Sequence, residues 1–194
     1  MSDNLPTLEK GQIYHIYNQG NNKERIFINE ENRRFFLELF KQYISPICDV
    51  YAYCLLRNHF HLLLKFRDDS KLVSGKLHYP FSHFFNAYAQ AFNKEQGRSG
   101  SLFRARFKRT LITDEDHFIT ALLYVHLNPV KHKFANSVFD FHWSSYNAYF
   151  NEAESWLKKK FVLSKFEGKD NFAAAHLQRK DEIIAMRSFE DWGK

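Results

Sequence analysis

The sequence predicts an α+β chain, a split βαβ core whose mostly antiparallel sheet is covered by helices, followed by a helical C-terminal extension. Three observations carry this. Short runs show apolar alternation of period two, longer runs show apolar recurrence at helical spacing, and the two kinds interleave as strand, helix, strand, strand, helix, strand, helix. With 194 residues the chain suits one core and a peripheral addition, which places a first domain over residues 11–150 and the extension over 151–194.

Residues 12–18 (QIYHIYN) alternate and run into Gly20, Asn21 and Asn22, as a strand closing in a turn does. Asn29 then has the short polar side chain of a helix cap, and Phe35, Phe36, Leu39, Phe40 and Tyr43 recur at helical spacing until Ser45 and Pro46 end the run. Residues 50–56 (VYAYCLL) and 59–66 (HFHLLLKF) read as two strands joined through Arg57 and Asn58, an antiparallel hairpin. A second helix is expected over 77–96. The flexible link GRSGS leads from it into 102–112, where Phe103, Ala105 and Phe107 alternate with Arg104, Arg106 and Lys108, so that one face packs and the other stays basic. Thr113 followed by Asp114, Glu115 and Asp116 starts a third helix, with a capping hydroxyl and acids at the positive end of its dipole. Pro129 predicts that this helix ends near Leu127 or Asn128.

A formal charge of +6 and an isoelectric point near 9.2 favour polyanionic partners. The 21 phenylalanines and 10 tyrosines serve either a packed core or stacking on bases, and Trp143 and Tyr146 could belong to either. Cys48 and Cys54 have neither the close pairing of a zinc ribbon nor the density of a disulfide scaffold, which points to a reducing, cytoplasmic setting. No run approaches the ~18–20 apolar residues of a membrane helix, and the first residues form no apolar leader, so a soluble chain with no membrane partner is expected.

Two constellations carry chemistry. In the second strand of the hairpin His59 and His61 are two apart, so both imidazoles project from one face and Phe60 from the other. Such a pair binds a divalent ion, although His-x-His alone also fits the exposed face of a sheet. On the third helix Tyr124 and Asn128 lie one turn apart on one face, where a phenol and an amide oxygen can address one site. Alone, they equally suit a core aromatic and a helix terminus before Pro129. By the same geometry His126 points away and has no catalytic part. Tyr88, near Gln90 and Asn93, is the rival nucleophile, within the apolar stripe of Phe84, Phe85 and Phe92. The basic residues Arg98, Arg104, Arg106, Lys108 and Arg109, with Arg57 beside the histidines, are candidate DNA contacts or a solvated strand face.

The segments RNHFHLLL and YVHLNPV, in this order and about sixty residues apart, with GRSGSLFRARFK between them and WSSY afterwards, resemble the REP-associated branch of the single-tyrosine HUH transposases. The resemblance spans residues 11–149. It implies a ferredoxin-like core that recognises single-stranded or hairpin DNA and performs metal-dependent nicking and strand transfer through a 5′-phosphotyrosine intermediate, leaving a free 3′-OH. His59 and His61 match the histidine pair, Tyr124 the nucleophile and Asn128 a further ligand of a divalent ion, Mg²⁺ or Mn²⁺. The alternative is a domesticated, non-mobilising DNA-binding protein, and a third reading is a hydrolytic nuclease with no covalent step. Both a monomer and a homodimer exchanging catalytic helices fit the resemblance.

Overall fold

The computed structural model describes residues 5–72 and 75–186. Positions 187–194 of the expected extension lie outside the described residues. Strands β1 (Ile13–Gln19), β2 (Cys48–Leu55), β3 (His59–Phe66) and β4 (Lys108–Ile112) form one sheet in the order β2-β3-β1-β4, with every neighbouring pair antiparallel. Helix α1 (Glu30–Tyr43) joins β1 to β2, and α2 (Tyr79–Glu95) joins β3 to β4. This is the βαββαβ order of a ferredoxin-like core. Helices α3 (Glu115–Lys131), α4 (Lys159–Ser164), α5 (Lys169–Gln178) and α6 (Lys180–Ala185) follow.

Strand alternation sends Phe60, Leu62, Leu64 and Phe66 to one face, where α1 and α2 cover them. The Phe36 ring meets Phe60 at 5.1 Å and Phe84 at 4.7 Å, and the Phe60 ring meets Phe85 at 5.5 Å. Asn29 caps α1 as expected, accepting from the Asn32 backbone N–H, while the Asn32 side chain accepts from the Asn29 N–H in return. The opposite face, which carries His59, His61 and Leu63, lies under α3, and α5 and α6 pack on α3 from outside. The outer edge of β2 is closed by backbone bonds from Leu55 to Trp143 and from Lys158 to Val50.

Three expectations are corrected. The alternating run 102–112 is a strand only over Lys108–Ile112. Pairing with β1 stops at Tyr17 opposite Lys108 and touches again only at the Gly20–Phe103 bridge, so the residues between leave the ladder and Ala105 is exposed. The cap of α3 is Asp114, whose carboxylate accepts from the His117 N–H at 2.8 Å, while the Thr113 hydroxyl donates to Asp114. Helix α3 also continues through Pro129 to Lys131. Proline removes only one intrahelical donor here, and the N–H groups of His132 and Phe134 still donate to the carbonyls of Asn128 and Pro129. Tyr124 and Asn128 therefore sit inside one regular helix.

Gly20, where β1 turns away toward α1, leaves no room for a side chain, because a Cβ there would lie 2.2 Å from the Glu24 carbonyl oxygen. Backbone cannot swing aside as a side chain can. Gly20→Ala is expected to destabilise the fold by about 1–3 kcal/mol, measured by urea unfolding, and an unchanged midpoint would show that the turn yields freely.

Candidate active site

Helix α3 brings Tyr124 and Asn128 onto the histidine face of the sheet. The Tyr124 ring stands edge-on to His61 at 5.6 Å and to His15 at 5.8 Å, and it is 6% exposed. Asn128 is fully buried, and its amide lies close enough to His59 to favour that imidazolium. All four residues of the two sequence constellations thus converge. The sheet explains how, since β3 presents two imidazoles two residues apart and the helix presents two groups one turn apart on its inner side.

Both histidine rings are anchored through Nδ1. His59 Nδ1 lies 2.8 Å from Asn58 Oδ1, and His61 Nδ1 lies 2.9 Å from His15 Nε2. An amide oxygen only accepts, so His59 Nδ1 is the donor and the Nε2 of the neutral ring keeps its lone pair. Among the described residues the buried atoms His61 Nε2 and Asn128 Oδ1 have no hydrogen-bond partner of ordinary geometry. Buried polar atoms left unmatched cost about 1–3 kcal/mol each, and they concentrate where function needs them. Burial drives the His59 pKa down to about 4, helped by His132, and drives His61 well below its usual range, helped by His15 and His59. Both imidazoles stay neutral and able to donate lone pairs across the physiological range. Two imidazole nitrogens and one amide oxygen make a donor set that fits a divalent ion, although among the described residues no three His, Cys, Asp or Glu side chains gather in that way.

Four further residues surround these. His15 and Tyr17 come from β1, with the Tyr17 ring stacked on His15 at 5.1 Å and on His61 at 5.6 Å. His132 meets the His59 ring at 5.0 Å, and the Lys131 ammonium lies 5.2 Å from the Tyr124 ring centroid while donating to the Met186 carbonyl. The signal for His15 and Tyr17 was their period-two spacing in β1, but only the β1–β3 register shows that they share a face with His61.

The rival Tyr88 lies beneath the other face of the sheet. It is 1% exposed among α1 and α2 aromatics, its hydroxyl donates to the Ile26 carbonyl at 2.5 Å, and burial pushes its phenol far up. Asn93, its proposed neighbour, donates to the Gly100 carbonyl and accepts from Arg98. His126 points away from the site as expected. Tyr146 is fully buried in the aromatic cluster around Phe172, so it stacks on protein rings, and Trp143 is partly buried under the Arg33 guanidinium.

The basic residues are spread out. Arg57 is exposed in the turn leading into His59, and alternation in β4 turns Lys108, opposite Tyr17, toward the histidine face. Arg104 and Arg106 are exposed in the irregular segment. Arg109 faces the other way, lies over Phe107 and donates to the Pro6 carbonyl, while Arg98 is paired with Glu24 at 2.7 Å and closes its loop.

No helix among the described residues is long and apolar enough to cross a membrane. No protein-family model matches the chain. A Haemophilus influenzae protein described as a REP-associated tyrosine transposase is 26% identical over 122 residues, covering 58% of this chain and 69% of that protein. A solved structure of a REP-associated tyrosine transposase bound to a REP hairpin shares the fold, with a TM-score of 0.59 at 18% identity over 77% of this chain and 86% of the other. In its motifs, its sequence and its architecture, the chain is similar to the REP-associated tyrosine transposases.

Proposed function

We propose that this chain is a transposase-type DNA endonuclease and strand transferase that nicks and rejoins single-stranded or hairpin DNA through a 5′-phosphotyrosine intermediate. The convergence of Tyr124, from one motif, on the histidine pair of the other carries the reading. Similarity to a REP-associated tyrosine transposase, and to a solved one bound to a REP hairpin, supports DNA of that class as the substrate.

His59 and His61, through Nε2, and Asn128, through Oδ1, would hold a divalent ion. Two imidazoles beside one carbonyl-type oxygen suit Mn²⁺ better than Mg²⁺. Bound there, the ion supplies Lewis-acid polarisation of the scissile phosphate. Tyr124 supplies the nucleophile, its oxygen forming a bond to phosphorus as the bond to the 3′ oxygen breaks and that oxygen leaves as a 3′-OH. A phenol's ordinary pKa is about 10, so attack near neutral pH needs deprotonation or local electrostatic help. Because the phosphotyrosine keeps the phosphodiester energy, a 3′-OH can attack it and rejoin the strand without ATP. Arg57 and Lys108, at the margin of the histidine face, are best placed to hold the flanking phosphates, with exposed Arg104 and Arg106 further along the strand.

The test is a denaturing gel of the protein incubated with a labelled hairpin oligonucleotide carrying a single-stranded flank. A protein–DNA adduct is expected with Mn²⁺ or Mg²⁺, and its loss with EDTA. Binding with no adduct in any metal would reduce the chain to a DNA-binding protein. Cleavage that leaves every product free of protein would make it a hydrolytic nuclease.

A further inference from the structure

His15 belongs to neither sequence constellation, yet it is the residue that fixes how His61 meets the site. Its Nε2 lies 2.9 Å from His61 Nδ1, and the two rings stack at 5.1 Å with 12° between their planes. The register places His15 opposite Leu63, one step diagonal from His61, so the contact is built into the pairing of β1 with β3. Tyr17 stacks on both rings and Tyr124 abuts both edge-on, which holds the pair in place.

Two neutral imidazoles sharing one N···N contact have two proton arrangements. In the first arrangement His61 Nδ1–H donates to His15 Nε2, and His61 Nε2 carries a lone pair. In the second His15 donates, and the His61 proton moves to Nε2, a buried atom with no acceptor among the described residues. Only the first arrangement leaves the His61 Nε2 lone pair available to a cation, so an ion bound there selects it.

We propose that His15 is a positioning residue that sets the His61 tautomer and ring orientation, presenting the Nε2 lone pair to the divalent ion shared with His59 and Asn128. The inference rests on the metal site proposed above. Partners of this kind raise the basicity of a ligating imidazole, and losing one typically weakens metal affinity about 10–100-fold.

The variants His15→Leu, which removes the acceptor, and His15→Gln, whose Oε1 replaces Nε2 as acceptor, separate this role from simple packing. Long-range ¹H–¹⁵N spectra of the metal-free wild-type protein are expected to show His61 protonated at Nδ1. Titration with Mn²⁺ alone, followed by electron paramagnetic resonance of the free ion, is expected to show affinity about 10–100-fold weaker in H15L and within about threefold of wild type in H15Q. Circular dichroism establishes the fold of each variant. A folded H15L that binds Mn²⁺ as wild type does, or His61 protonated at Nε2 in the metal-free wild type, overturns the proposal. If H15L does not fold, the wild-type tautomer and the H15Q affinity decide it, an Nδ1–H ring with near-wild-type affinity supporting the role and any other result overturning it. A wild-type protein that binds no Mn²⁺ overturns the metal reading beneath, and this inference with it.

Discussion

Tyr124→Phe is expected to abolish covalent attachment to DNA and to lower nicking by about 10³-fold or more, the scale of loss when a nucleophile is deleted from an assembled site. The substitution removes one oxygen and little else. The ring contacts with His15 and His61 are edge contacts of the aromatic carbon frame, and a phenylalanine keeps them. His59, His61 and Asn128 retain their positions, so hairpin binding and Mn²⁺ binding should persist while the adduct band disappears. An adduct that survives would direct attention to Tyr17, which lies on the same face of the sheet with its hydroxyl buried and unmatched among the described residues. Tyr88 would not inherit the role, because its hydroxyl is committed to a backbone carbonyl beneath the opposite face.

Acid should unfold this protein by way of its histidines. His126 Nδ1 lies 2.9 Å from His176 Nε2, His126 Nε2 lies 2.8 Å from the Ser145 hydroxyl, and His176 Nδ1 lies 2.7 Å from the Phe172 carbonyl, all buried. Burial lowers the pKa of both rings, to about 4 for His176 and well below the usual 6.5 for His126. A histidine held neutral in the fold binds its proton more readily when unfolded. Its contribution is therefore fully present above the unfolded pKa and is lost as pH falls toward the folded one. Between pH 7 and pH 5 a ring with a folded pKa of about 4, as in His176, forfeits about 2 kcal/mol of a typical total of about 5–15 kcal/mol, and His126 pushes the same way. His15, His59 and His61, with lowered pKa values of their own, push the same way. Urea unfolding of the metal-free protein at pH 7.5 and pH 5 measures this, and equal stabilities at the two values would contradict neutral burial of these rings.

Legibility in the sequence followed the range of the interactions involved. His59, His61, Tyr124 and Asn128 were readable because strand and helix periods are local, and two residues or one turn suffice to put groups on a common face. Whether the strand face and the helix face meet is not local, and it took α3 lying across β3 to show that they do. His15 depends on pairing between strands 46 residues apart, and no spacing within QIYHIYN reveals it. His176 likewise meets His126 from a helix that no motif marks, 50 residues along the chain. The basic alternation misled for a related reason. Arg104 to Lys108 has a strand pattern, but its pairing with β1 stops at Tyr17 opposite Lys108 although β1 runs on to Gln19, so Ala105 is left outside and the cations do not share one face. Proline misled in the opposite sense, because near a helix end its missing donor costs little, and α3 continues past Pro129.

Helix α3 is gripped on both sides: Tyr124 and Asn128 press into the sheet, and His126, between them in sequence, is tethered outward to His176 and Ser145. Such a helix behaves as a beam between two clamps. Rolling it enough to carry the phenol away from the histidines would drag His126 against its own partners on the far side. The position of the Tyr124 ring over the histidines is thereby tied to a joint on the far side of α3, where α5 holds His126 through His176.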